Sequence, residues 1–409
     1  MALEVDLIHS LITNKHIVPA LKKLPAEYLQ VPEVKVMYGF IIDYFKKYKS
    51  SPTPQQLKEK FPDYEHKVET TDVDYFIDRL IERRVETGLA EVLVQGSTKL
   101  KEDGGLKALN QIRQAIMKLN VLTMKDEDID ITQNTDERRE RYIERSAIKG
   151  LIGIPTGLPS IDNITNGFKK KELITICGLT AVGKSFLTTC FAVNAWKEGY
   201  KVLFLTLEMS REQIEERFDC LAANLSHYEL RRARLAQEEL KRYNEYLEGL
   251  KVRPPFIVSS PIDCTQSVIF SKIQEHKPDI CFVDYIDLIR DEKEGRDFYK
   301  TANIIGDLKM FANALNIPLV VVAQISRQNF SREVEDLPSL ENIASSHRIP
   351  RDSDVVIAVH QTHKQQEDNI MMLGVIKNRD GKLLRKLDLN WDLDHGVIGE
   401  KNEKGGPII

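Results

Sequence analysis

Gly178 to Phe186 reads GLTAVGKSF: a glycine, four variable residues (Leu179, Thr180, Ala181, Val182), then Gly183, Lys184, the hydroxyl of Ser185 and Phe186. This spacing suits a phosphate chain. Glycines let the backbone bend so that successive N–H groups face one anion, at a helix N-terminus that already favours negative charge. Lys184 would reach the β- and γ-phosphates of a nucleotide, and Ser185 would ligate Mg²⁺. The motif requires a strand before it and a helix after it. LITIC precedes the loop and FLTTCFAVNAW follows it, so both requirements are met.

Three further residues stand at the ends of apolar runs. VLFLTLEMS places Glu208 just past a run expected to form a strand beside the first. Open α/β sheets bind ligands off the carboxyl ends of their strands, and a carboxylate there can orient and deprotonate water. The same residue could simply cap a helix. ICFVDYIDLIR carries Asp284 after four apolar residues, where an acid can hold Mg²⁺. Asp287 is a second acid in that segment, expected to face solvent or a partner. PLVVVAQISRQ ends in Gln324, whose amide can sense a γ-phosphate and pass the signal to the long polar loop over 326–351. Further on, VIKNRDGK sets Lys377 and Arg379 two apart, on one side of a strand. They are either surface cations or a basic finger for a neighbouring subunit's nucleotide.

These residues need a scaffold. From residue 151 onward, LITIC, KVLFLTL, DICFVDY, PLVVVAQ and DVVIAV are short apolar runs separated mostly by helix-like segments, the pattern of parallel strands buried on both faces. The expected fold class is an α/β P-loop ATPase core, mainly a parallel sheet flanked by helices, over 151–409. NIMMLGVIKNRDGKLLRKLDLNWDL adds two strands joined at Asp380-Gly381. Residues 1–120 carry apolar positions at helical spacing and no strand signal, which predicts an all-α N-terminal domain. Thr53, Pro54 and Gln56 form a helix-start signature, and Gly104-Gly105 splits two long amphipathic runs into an antiparallel pair. Residues 121–150 are charged and poor in apolar residues, the composition of a linker, with a short helix from Asn134 to Ala147. That helix is either solvated or a tether that docks on another subunit.

With 409 residues, two domains are expected. The net charge of −4 means that any polyanion site must be local, on a loop or in a channel. Five scattered cysteines without CxxC spacing fit neither a disulfide framework nor a zinc site. The N-terminus has acids where a secretory signal needs bases, and no apolar run reaches membrane-spanning length. A cytoplasmic protein with no membrane partner is expected.

Taken together, GLTAVGKS, TLEM, FVDYIDLI, VVVAQISRQ, DSDVVIAV and KNRDG resemble, in this order, the motifs of the DnaB-type hexameric replicative helicases, whose ATPase core is RecA-like. The lead-in GIPTGLPSIDNITNGFKKKELITICG is similar to that family's entry into the core. The compact length and divergent N-terminus look most like the bacteriophage members. The resemblance implies a homohexameric ring around single-stranded DNA, moving 5′→3′, with ATP or another NTP and Mg²⁺ between subunits. Lys184, Ser185, Glu208, Asp284 and Gln324 would serve from one chain and Lys377 and Arg379 from the next. The linker helix would dock on the adjacent core. Primase and a helicase loader are the implied partners. The implied DNA-contacting loop is Ser345, Ser346, His347 and Arg348, with Arg327 on the preceding loop. Here His347 stands where that family has glycine, and Ala344 where it often has arginine; Arg348 would supply the charge.

Two other functions share this core: a RecA-like recombinase or filament-forming ATPase, and a nucleotide-switched replication loader. The long helical N-terminus and the late Lys-x-Arg hairpin favour the helicase, and an intact Glu208 disfavours a degenerate ATPase.

Overall fold

The computed structural model describes residues 2–15, 17, 20, 24–48, 50–122, 131–132, 134–147, 150–292, 297–325, 330–343, 348–393 and 397–400. The chain divides into two compact units, Met1–Glu140 and Arg141–Ile409.

The described residues of the first unit are helical and contain no strand. Helices α1 (Ala2–Asn14), α2 (Pro32–Tyr48), α3 (Pro54–Lys60) and α4 (Val73–Asp103) surround a core that includes Leu7, Leu11, Ile41, Leu57 and Ile77. Buried Glu4 ties them together: it accepts the N–H groups of Gln30 and Val31 and pairs with Arg83. The helix start at Thr53 forms as its sequence dictates, with Thr53 and Gln56 capping each other's backbone N–H. At Gly104, φ is +83°, a conformation glycine adopts without strain, and the chain reverses into α5 (Gly105–Leu122). The two helices run antiparallel and close. A Cβ on Gly88 would lie 2.5 Å from Leu119, and one on Gly96 would lie 2.6 Å from Ile112. Helix α6 (Thr135–Ala147) has no buried residue; Tyr142 and Ile143 are exposed. The expected linker lies partly outside the described residues.

The second unit is built on a nine-stranded sheet in the order β3-β2-β4-β5-β1-β6-β7-β8-β9. Its strands are β1 (Leu173–Gly178), β2 (Val202–Thr206), β3 (Phe256–Ser259), β4 (Ile280–Asp284), β5 (Leu319–Gln324), β6 (Val355–His360), β7 (Ile370–Asn378), β8 (Leu384–Asp392) and β9 (Val397–Glu400). The first six are parallel and the last three antiparallel. Strands β1, β2, β4 and β6 are buried along their whole length, as their unbroken apolar runs require. The α/β core with a helical N-terminal region is the fold expected from the sequence.

One expectation needs correction, and two strands carry no expectation from the sequence. Strand β2 does not lie beside β1; β4 and β5 stand between them. Apolar runs specify burial, but nothing in them specifies which strand is the neighbour. Strand β3 was not foreseen because its run is only four residues, all half-buried. Nor was β9, which closes the antiparallel edge against β8.

All five cysteines are buried and free. Burial pushes the thiols of Cys177, Cys220 and Cys264 up to about 12. No described helix is long and apolar enough to cross a membrane.

Candidate active site

Strand register gathers the site. Gly178 at the end of β1 pairs with Gln324 at the end of β5, and Thr206 at the end of β2 pairs with Asp284 at the end of β4. Four strand ends therefore finish in one row, and the chain turns off each of them into the same cleft of about 520 Å³. Its lining includes Thr180, Lys184, Ser185, Glu208, Asp284 and Gln324. The sequence-expected residues of the phosphate loop, Glu208, Asp284 and Gln324 are thus brought together.

The loop leaves β1 and enters helix α7 (Lys184–Lys197) at Gly183, whose φ is +89°. Ala181 adopts φ +61°, uncommon for a residue with a Cβ. Gly178 is fixed by crowding: a Cβ there would lie 2.5 Å from the Val359 carbonyl oxygen on β6. Lys184 folds over the loop and donates to the Leu179 carbonyl at 2.6 Å. Burial pushes its pKa down to about 8, partly opposed by Asp284, Cys177, Glu208 and Asp287.

Asp284 is fully buried, and both of its carboxylate oxygens lack a hydrogen-bond partner. Burial raises its pKa; Arg217 and Lys184 pull the other way, as does the Ser185 hydroxyl, which is near but outside hydrogen-bond geometry. A buried carboxylate without a partner is costly and calls for a cation. Asp284 with the Ser185 hydroxyl is a hard oxygen donor set of the kind Mg²⁺ takes, with positions left for phosphate oxygens and water.

Arg217, on helix α8 (Arg211–Ala223), belongs to no motif legible in the sequence. It lines the same cleft, and its Nη1 is buried without a partner. Burial lowers its pKa, with Asp284 opposing. The available signal was a lone cation in the apolar stripe of Ile214 and Phe218. An unpaired carboxylate and an unpaired guanidinium nitrogen in one cleft fit a metal-bound phosphate, which offers charge of both signs.

Glu208 is exposed at the cleft, just past β2. The Gln324 amide donates to the Thr180 hydroxyl. Asp287 departs from expectation. It is half-buried, faces Lys300 and accepts the Gln324 backbone N–H, with burial raising its pKa.

Lys377 and Arg379 are not in this cleft. Antiparallel β7 returns them to the start of β6, at the opposite end of the sheet, where Lys377 pairs with Val356. Lys377 donates to the carbonyls of Pro350, Arg351 and Ser353, capping the short helix Arg348–Asp352. Arg379 pairs with Asp354 at 2.7 Å. Arg348 donates to the Ala302 carbonyl at 3.1 Å and lies 3.7 Å from Asp352. Arg327, Ser345, Ser346 and His347 lie outside the described residues.

Residues 153–396 match the family model described as the DnaB-like helicase C terminal domain. The chain is similar to replicative DNA helicase DnaB of Treponema pallidum (30% identical, 57% of this chain and 53% of that protein). It is also similar to a probable replicative DNA helicase of Trieres chinensis (26% identical, 67% and 64%) and a probable plasmid replicative DNA helicase of Chlamydia trachomatis (31% identical, 58% and 52%). It therefore spans between about half and just under two thirds of each relative's length. Among solved structures, a DnaB-like replicative helicase described with its primase interactions superposes with a TM-score of 0.65 at 17% identity, over 97% of this chain and 98% of that one. A solved ATPase domain superposes at 0.60 and 22% identity, over 66% of this chain and 99% of that one. At these identities the likeness shows the fold.

Proposed function

The chain belongs to the DnaB-like helicase family through its C-terminal domain, and from that premise we propose that it is an ATP-dependent replicative DNA helicase. It works as a homohexameric ring on single-stranded DNA, 5′→3′, in the cytoplasm of a bacterial or phage-infected cell. The observation that carries this reading is the buried, partnerless pair in one cleft: the Asp284 carboxylate and the Arg217 nitrogen, beside Lys184.

Each residue has a definable task. The loop N–H groups and Lys184 bind the β- and γ-phosphates. Ser185 and Asp284 would hold Mg²⁺, which when bound would screen the charge that builds on the leaving group. Glu208, exposed at the cleft, accepts a proton from water as that water attacks the γ-phosphorus. Arg217 steadies the equatorial oxygens from within the chain. Gln324 exchanges the Thr180 hydroxyl for the γ-phosphate and relays its presence to the loop that follows β5. Lys377 and Arg379 act on the neighbouring subunit's nucleotide; their place at the far end of the sheet supports this, because they do not line their own cleft. Ser345, Ser346, His347 and Arg348, with Arg327 on the preceding loop, grip the DNA. The helical N-terminal unit forms a collar for primase, and a loader opens the ring.

The test is hydrolysis of ATP with and without single-stranded DNA, together with the mass of the assembly and strand separation on a forked duplex. A DNA-stimulated hexamer that separates the fork is expected. Filaments that pair strands would mark a recombinase, and a ring without DNA stimulation a loader.

A further inference from the structure

The phosphate loop is braced by an aromatic column from the last strands of the sheet. Trp391 on β8 is held on both sides, by β9 through its register with Ile398 and by its backbone N–H donating to the Asn369 carbonyl. It is buried, as is Met371 on β7. Both press on the α-carbon of Gly183. A Cβ at that position would lie 2.8 Å from Met371 Cε and 2.8 Å from Trp391 Cζ2. Phe186, three residues on, meets the Trp391 ring edge to face at 6.0 Å. Its own face carries the Arg217 guanidinium at 5.3 Å, and His227 stands edge-on to it at 5.6 Å. Leu393, two residues past Trp391, lines the cleft itself.

We infer that Trp391 is a positioning residue for the nucleotide: it fixes the Gly183–Ser185 turn directly and, through Phe186, the guanidinium of Arg217. This rests on the ATPase reading of the cleft. The physical case is order. Arg217 has a buried nitrogen with no partner, so neither hydrogen bond nor ion pair fixes that end of the guanidinium. What orients it is the flat face of Phe186, by cation–π attraction. Phe186 is oriented in turn by edge-to-face packing on Trp391. Trp391 is anchored in the sheet and carries no group that reacts. An indole lost from this column leaves Phe186 free to tilt, and both the loop and the arginine lose their reference surface.

The test uses the full chain. The other tryptophan, Trp196, is changed to phenylalanine, so that emission reports Trp391 alone. Titration with a non-hydrolysable ATP analogue and Mg²⁺ is expected to change that emission, with the same Kd as calorimetry. Trp391→Ala is expected to raise that Kd about tenfold, while Trp391→Phe, which keeps an aromatic wall, stays within about threefold. Thermal melting and mass of the assembly check that the alanine variant is folded and assembled. If it does not fold, the emission change and the Trp391→Phe result decide. An emission insensitive to nucleotide, or a folded Trp391→Ala chain with wild-type Kd, overturns the inference and leaves the ATPase reading standing. A wild-type chain that binds no nucleotide by calorimetry overturns both.

Discussion

The Gln324 amide donates its hydrogen bond to the Thr180 hydroxyl, joining the end of β5 to the phosphate loop at the point where Gly178 and Gln324 stand in register. A γ-phosphate entering the cleft competes for that amide. Gln324 is therefore a two-position element whose partner is either the loop or the nucleotide. Gln324→Ala should leave nucleotide Kd within about threefold, because the γ-phosphate contact only replaces the Thr180 bond given up on binding, and lower DNA-stimulated kcat by about 10–100-fold, because the relay to the following loop is lost. Steady-state hydrolysis with and without DNA, beside calorimetric binding, checks this; equal loss in Kd and kcat would refute the two-position role.

Lys184 makes nucleotide binding pH-dependent. Its pKa is pushed down to about 8 by burial, whereas phosphates need the charged ammonium. Affinity should hold below pH 8 and fall by up to about tenfold per unit above it, with proton uptake on binding. Stability moves the other way. With the folded pKa below the ordinary 10.5, the unfolded chain binds more protons between about 8 and 10.5. In that window Lys184 makes the nucleotide-free protein more stable as pH rises. Calorimetry in buffers of different ionisation enthalpy measures the uptake; none at pH 8.5 would contradict it.

Asp284→Asn removes a buried carboxylate that has no hydrogen-bond partner. Mg²⁺-dependent hydrolysis should fall at least about a hundredfold, while the metal-free protein gains on the order of 1 kcal/mol of stability. Melting curves with EDTA and hydrolysis with Mg²⁺ read the two effects. A variant that is both less stable and still active would place the metal elsewhere.

Arg379→Ala and Lys184→Ala should each silence hydrolysis in a homohexamer. Mixed in one ring they should recover part of the rate, since some interfaces then carry both an intact finger and an intact phosphate loop. No recovery in mixed rings of confirmed composition argues that Arg379 serves its own chain, where it pairs with Asp354.

What the sequence could reveal follows from locality. The phosphate loop, its strand and its helix lie within one continuous stretch, so Lys184 and Ser185 were legible from spacing. Asp284 and Gln324 were legible because each ends an apolar run, and parallel strands bring such ends together. Arg217 escaped because its role depends on tertiary placement of one helix face; Phe186 was read as part of the loop, but its contact with Trp391 is equally nonlocal. The neighbour of β2 escaped for the same reason. Lys377 and Arg379 were legible as a pair, but their roles as caps for the Pro350–Ser353 carbonyls and the Asp354 carboxylate appear only in three dimensions.

The five buried cysteines have a practical consequence. Their thiols are shielded from reagents and kept protonated by burial, so the folded chain should be nearly silent to maleimide at neutral pH. A single cysteine introduced on the exposed face of α6, at Tyr142 for instance, would then be an addressable handle without prior removal of the native thiols. Fluorophores attached there could follow the motion of this segment in one assembly at a time.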